Sequence, residues 1–262
     1  MYRIASIFLG LFLSINAFGQ TLLQTYPVPS GAKWMVNGRG DFLYVHKNQI
    51  SMLTSDGRQL KQSIKSLGDI EQFEIVNSLK YMLFSYEQQV VCFFDNSLSN
   101  MDDCLDLDEM GFVQVTKVAA SAQSDKLWIY DEVNSNLVMY SLNGQIQTQQ
   151  IVNLKGMLDM NEVTEIMEFN NRLLIIDRTK GLYFFDQFGT FLQFVSLPNV
   201  EHAEVIGKYL LILTNGKLSN LEIQLDGNLS FNDFPFENVS QFRFNGESLF
   251  IQRGDQVEKY RF

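Results

Sequence analysis

Residues that could do chemistry are few in this chain of 262, which has two histidines, His46 and His202, and two cysteines, Cys92 and Cys104. His202 and Glu204 stand two apart in Val200-Glu201-His202-Ala203-Glu204-Val205, so an extended strand would point both to one side. Segments of the same alternating kind carry Lys33, Gln72 and Glu74, Gln114 and Thr116, Glu165, and Gln241 and Arg243. Gathered around one axis, Lys33, Glu74, Gln114, Glu165, His202, Glu204 and Arg243 would form a ring of carboxylates, cations, an amide and an imidazole. Such a ring could hold a divalent cation through Glu74, Glu165 and Glu204, or line a water-filled passage with mutually paired charges. Neither histidine sits in a ligand-spaced motif, and there is no Gly-x-Ser-x-Gly elbow or phosphate-cradling glycine loop. No catalytic residue, metal ligand set or cofactor is therefore assigned, and the seven residues stand as binding candidates lining a channel.

The elements that would gather them repeat. Apolar starts fall at Leu43, Met82, Leu127, Leu173, Leu210 and Leu249, at spacings of 39, 45, 46, 37 and 39 residues. A period of roughly 40 residues with about four strand-like runs in each is the pattern of a β-propeller blade. The innermost strand of each blade is expected at 33–36, 70–76, 112–118, 163–169, 200–206 and 239–244, with its apolar phase packed between blades and its polar phase facing the channel. Six outermost strands are needed, but only five follow the repeats. The N-terminal run 22–28 supplies the sixth, so the expected fold is an all-β, six-bladed propeller closed by pairing of its N- and C-terminal strands, a single domain over 20–262.

The third repeat is the clearest, with Leu127-Trp128-Ile129-Tyr130-Asp131, Asn134, Leu137-Val138-Met139-Tyr140 and Asn143-Gly144. Asn-Gly predicts a hairpin turn with positive φ angles at both positions. Asp131, Asn134, Leu137, Tyr140 and the Asn143-Gly144 turn together resemble the NHL-type repeat of six-bladed propellers, a superfamily that also includes TolB-like repeats. The fourth repeat keeps Asp177 and a glycine turn, and the others keep only the hydrophobic frame. The resemblance implies the six-bladed superfamily and no particular member.

Residues 1–19 read as a signal peptide: Arg3, an apolar run from Ile4 to Leu13, then Ala17-Phe18-Gly19. About 10 apolar residues are too few to span a bilayer of about 30 Å as a helix, and no transmembrane span is expected after its removal. Thirty acidic against 20 basic residues give a formal charge of −10, which disfavours nucleic acid and anionic membranes as partners. In the second repeat, a hairpin turning near Leu98 would set Phe94 opposite Asp102 and Cys92 opposite Cys104. The two thiols either form a disulfide or remain as two buried thiols filling the blade core. The acidic run 102–109 lacks the spacing of an EF-hand loop and reads as charge that protects an outer edge strand. The connection 153–162 carries Leu and Met either exposed to a partner or buried across the blade top.

These features point to an exported, non-enzymatic module that binds or scaffolds a protein in the periplasm or cell envelope. A glycan is the lesser alternative ligand, and secretion or outer-membrane association the alternative location. The rival class is a lyase- or lactonase-like enzyme at the channel mouth using a divalent cation.

Overall fold

The structure, a computed structural model, describes residues 21–99, 104–169, 171–207, 209–223 and 229–261. The expected signal segment and the Asp102 partner of Phe94 lie outside these residues. Six four-stranded antiparallel sheets follow one another along the chain, and each is a blade. Their inner strands are Lys33–Val36, Gln72–Asn77, Val115–Ala120, Val163–Phe169, Val200–Ile206 and Gln241–Phe244, in blades one to six.

The second strands show why the blades stack into a ring. In the fourth blade Leu173, Leu174, Ile175 and Ile176 are all fully buried, yet Leu173 and Ile175 pack against the third blade while Leu174 and Ile176 pack against the fifth. Leu210 to Leu213 alternate in the same way between blades four and six. Successive strand side chains point to opposite faces, so a strand apolar at every position must be covered on both sides. Each blade thus packs between two others. Among the described residues, the six apolar clusters are the six blade-to-blade interfaces, one apiece. The inner strands border the channel, and there Met35, Ala119 and Met167 stand among the polar residues of the channel-facing phase, which is therefore not polar throughout as expected.

The ring closes through the sixth blade. Leu22–Pro27 pairs antiparallel with Gln256–Arg261, which continues through Ser248–Arg253 to the inner strand. Tyr26 stacks on Phe42 of the first blade with ring centroids 4.4 Å apart, and the Trp34 indole N–H donates to Gln252 at 2.6 Å. Strand pairing and side-chain packing therefore close the ring together.

The Asn-Gly turn differs from expectation, and two other local features are sharpened by the structure. The positive φ in the third blade's last hairpin is at Gln145 (49°) rather than at Gly144, because four residues separate the paired Ser141 and Ile146 and the left-handed step falls at the end of that longer loop. The acidic segment forms only a two-residue outer strand, Leu105–Asp106, after which Asp106 accepts the N–H of Glu109 at 2.9 Å to make a turn. In the 153–162 connection, Leu154 and Met160 are buried under a short helix, Leu154–Leu158, while Met157 is exposed. Gly181, at φ +137°, has the outer strand so close that a Cβ would lie 2.2 Å from the Val195 carbonyl oxygen, so only glycine fits there.

Candidate functional site: the central channel

The inner strands start at one mouth and run in parallel down the channel. Their registers against the second strands place one residue of each blade at the same level: Lys33, Gln72, Lys117, Glu165, His202 and Gln241. Two residues deeper lies a second ring of Met35, Glu74, Ala119, Met167, Glu204 and Arg243. Between the rings sit Trp34, Phe73, Val118, Ile166, Ala203 and Phe242, all buried in the blade interfaces. The rings border a cavity of about 650 Å³.

Six of the seven candidates line that cavity: Lys33, Glu74, Glu165, His202, Glu204 and Arg243. Gln114 does not. The pairing of the third blade shifts between Val115 and Lys117, so Thr116 is an extra residue that breaks simple alternation. The inner strand starts after Gln114, whose amide instead meets the Tyr86 hydroxyl on the loop face. Lys117 holds the channel position of that blade.

The polar side chains mostly bond the backbone of the neighbouring blade. The Gln72 amide accepts from the Val118 N–H at 2.9 Å and donates to its carbonyl at 3.0 Å. Glu74 accepts from Ala120 at 3.3 Å, Glu165 from Ala203 at 3.2 Å, and Glu204 from Phe244 at 2.6 Å. Lys33 donates to the carbonyls of Ile70 (2.7 Å) and Glu71, and Gln241 to that of Trp34 at 3.4 Å. Between blades three and four the direction reverses: Glu168 accepts the Ser121 hydroxyl, the Ala122 N–H and the Trp128 indole N–H. Among the described residues, inner strands of adjacent blades form no ladder with each other, and these side chains satisfy backbone groups that would otherwise be unpaired.

The densest charged group is His202, Glu165, Glu204 and Arg243. His202 Nδ1 meets the Glu165 carboxylate, and the Arg243 guanidinium reaches His202 Nε2 and, at 3.2 Å, Glu204. Burial and the Arg243 charge press His202 toward its neutral form, but the Glu165 and Glu204 carboxylates outweigh them and raise its pKa. Burial pushes Glu74 up to about 7, and it lowers Lys33 and Lys117 below the ordinary lysine value. Glu74, Glu165 and Glu204 do not converge on a point: each carboxylate is held against a different blade. Among the described residues, no three His, Cys, Asp or Glu side chains are grouped to hold a metal ion.

The other conspicuous residues are structural. Asp131 accepts the N–H of Val113 at 2.9 Å and the Asn134 amide at 2.8 Å. Asp177 accepts from Asn161, Glu162 and Thr179. The aspartates that carry the repeat resemblance thus tie a blade's central turn to the incoming loop. Cys92 and Cys104 form a disulfide with Cα atoms 4.4 Å apart, in a hairpin where Val90 pairs with Asp106 and Val91 with Leu105. His46 ends the second strand of the first blade and is absent from the channel wall.

No protein-family model matches the chain, and no curated protein sequence does. Solved structures do. A virginiamycin B lyase from Staphylococcus aureus is 11% identical with a TM-score of 0.61, covering 91% of this chain and 98% of that one. The fold belongs to the six-bladed β-propellers. A chain of the mitotic checkpoint complex matches at 10% identity and TM-score 0.60, covering 100% of this chain and 98% of its own. BBS1N, solved in complex with ARL6DN, matches at 11% and 0.61, covering 90% and 77%. An enzyme and members of protein complexes appear together, so what this propeller shares with them is the fold alone.

Proposed function

We propose that this protein is an exported, non-enzymatic propeller that binds or scaffolds a protein partner in the periplasm or cell envelope. The observation that carries the reading is an arc of exposed apolar side chains on the loops around the channel mouth. Tyr86, Val113, Val133, Val152 and Met157 are all exposed there, on loops of the second and third blades and on the connections into the third and fourth. Apolar side chains grouped on one face mark an interaction surface more often than scattered ones do. The channel polar groups beneath are largely occupied in holding blades together, which removes them from the inventory available for catalysis. The disulfide and the apolar run behind Arg3 support an oxidising, exported location.

Affinity capture from a cell-envelope fraction tests this. Wild-type protein should retain a protein partner in stoichiometric amount, and Val133→Glu with Met157→Glu should lose it without loss of folding. Equal recovery by both would overturn the assignment of that face.

A second reading, an enzyme at the channel mouth using a divalent cation, has one observation in its favour: His202, Glu165, Glu204 and Arg243 meet on a cavity large enough for a small molecule. Native mass spectrometry after incubation with magnesium, calcium or zinc separates the two. One tightly held ion, lost on Glu165→Gln or Glu204→Gln, would favour the enzyme.

A further inference from the structure

The outer strand of the fourth blade, Phe191–Ser196, is unlike the outer edge of most other blades. Natural sheets protect exposed edges with charge, proline, shortness or bulges, and of these the fourth blade's edge has only a one-residue bulge at Leu192. The first blade's edge carries Lys61, the second is a two-residue strand in an acidic run, the fifth carries Asp233, and the sixth ends on Pro27. From Gln187 to Val200 there is no charged residue, nor is there one from Leu142 to Leu154, which includes the adjoining edge strand Ile146–Ile151 of the third blade. In a chain of formal charge −10, this makes one neutral sector of the rim.

That sector is also the most apolar part of the rim. Phe188 is 72% exposed, Ile146 58%, Leu192 48%, Phe194 43% and Phe191 42%. Phe191 and Phe194 lie against Phe185 and Tyr183, with centroids 5.8 and 4.6 Å apart, so they extend the interface of blades three and four outward into solvent. Among the described residues, no strand pairs with the free side of Phe191–Ser196.

We propose that this edge pairs with the same edge of a second copy, giving a two-fold symmetric dimer. Electrostatics selects a second copy to approach here: two acidic rings repel one another over most of their surfaces, and the neutral sector is where that repulsion is weakest. Two identical edges run antiparallel about a two-fold axis, so each copy's Phe and Leu side chains meet those of the other and the edge is consumed. The contact closes and does not propagate as a fibre. With aromatic side chains burying about 150–250 Å² each, the five exposed residues contribute roughly 500 Å² of apolar area per copy. Specific interfaces bury about 800 Å² per partner, so the contact is small, and the dimer is a reversible one with a micromolar dissociation constant.

Sedimentation equilibrium of the mature protein, from about 1 to 200 µM, reads this directly. The expected result is a monomer–dimer equilibrium that tightens several-fold between about 0.05 and 0.5 M salt, since salt screens the repulsion. Phe188→Lys with Leu192→Lys should be monomeric throughout and melt with wild type, because neither side chain has a ring contact to the blade core and the lysines would meet their own copies across the two-fold axis. Phe188→Ser with Leu192→Ser, which adds no charge, should be monomeric as well. Leu79→Lys, on an exposed position of the second blade, should dimerise normally. A wild type that stays monomeric, or a dimer that survives the Phe188 and Leu192 changes, would overturn the proposal.

Discussion

Trp128 of the third blade donates its indole N–H to the carboxylate of Glu168 in the fourth at 2.5 Å, and the same carboxylate accepts the Ser121 hydroxyl at 2.9 Å and the Ala122 N–H at 2.5 Å. Trp128 is fully buried. Glu168→Ala should therefore cost about 2–4 kcal/mol, as three donors lose one charged acceptor, while Glu168→Gln keeps an acceptor and should cost about half as much. Chemical denaturation of the two variants measures the difference.

Ring closure rests on the N-terminal strand. Removing residues 21–28 from the mature protein deletes its ladder with Gln256–Arg261 and the buried Tyr26 and Val28. A loss of about 5 kcal/mol is expected from burial and hydrogen bonding, which lowers the melting temperature by roughly 10–20 °C. An unchanged melting curve would sink closure by this strand.

Glu74 gives a pH signature. Burial, the largest influence on it, holds its pKa at about 7 in the folded protein against 4.5 for the ordinary group. Between those values the folded state binds the extra proton, so stability is fully present below about pH 4.5 and is lost as pH rises through 7. Glu74→Gln should match wild type at pH 5 and exceed it by about 1–3 kcal/mol at pH 8. Equal stabilities at pH 8 would show that Glu74 ionises without cost.

The Cys92–Cys104 disulfide closes a loop of 12 residues' separation. Restricting the unfolded chain by such a loop is worth about 3 kcal/mol, so reduction should lower the melting temperature by roughly 6–12 °C. Denatured, unreduced protein should show no reactive thiol in these two positions.

Blade number, ring closure and the register of the cysteine hairpin were legible in the sequence. Each depends on local pattern: apolar runs at a fixed period, turns between them, and strand side chains that alternate strictly with position. The opposition of Cys92 and Cys104 needed only a hairpin centre, and Val90 with Asp106 has that register. Lys33, Glu165 and His202 reach one level of the channel because each pairs with the residue one short of the end of its blade's second strand, an equivalent point of equivalent repeats.

Tertiary structure decided the rest. In the third blade the inner strand starts after Gln114, and an extra residue at Thr116 puts Lys117 on the channel; such a bulge leaves no mark in an alternating pattern. Glu168 acquired its role from donors 40 to 47 positions away, a relation fixed by how two blades abut. The rim sector joins Ile146 with Phe188, Phe191 and Phe194, whose exposure follows from which strand ended outermost. Sequence alone determines that this chain forms blades, because periodicity is a local property; which polar groups are spent on joining them, and which apolar ones remain uncovered, is determined by contacts between segments the chain order keeps apart.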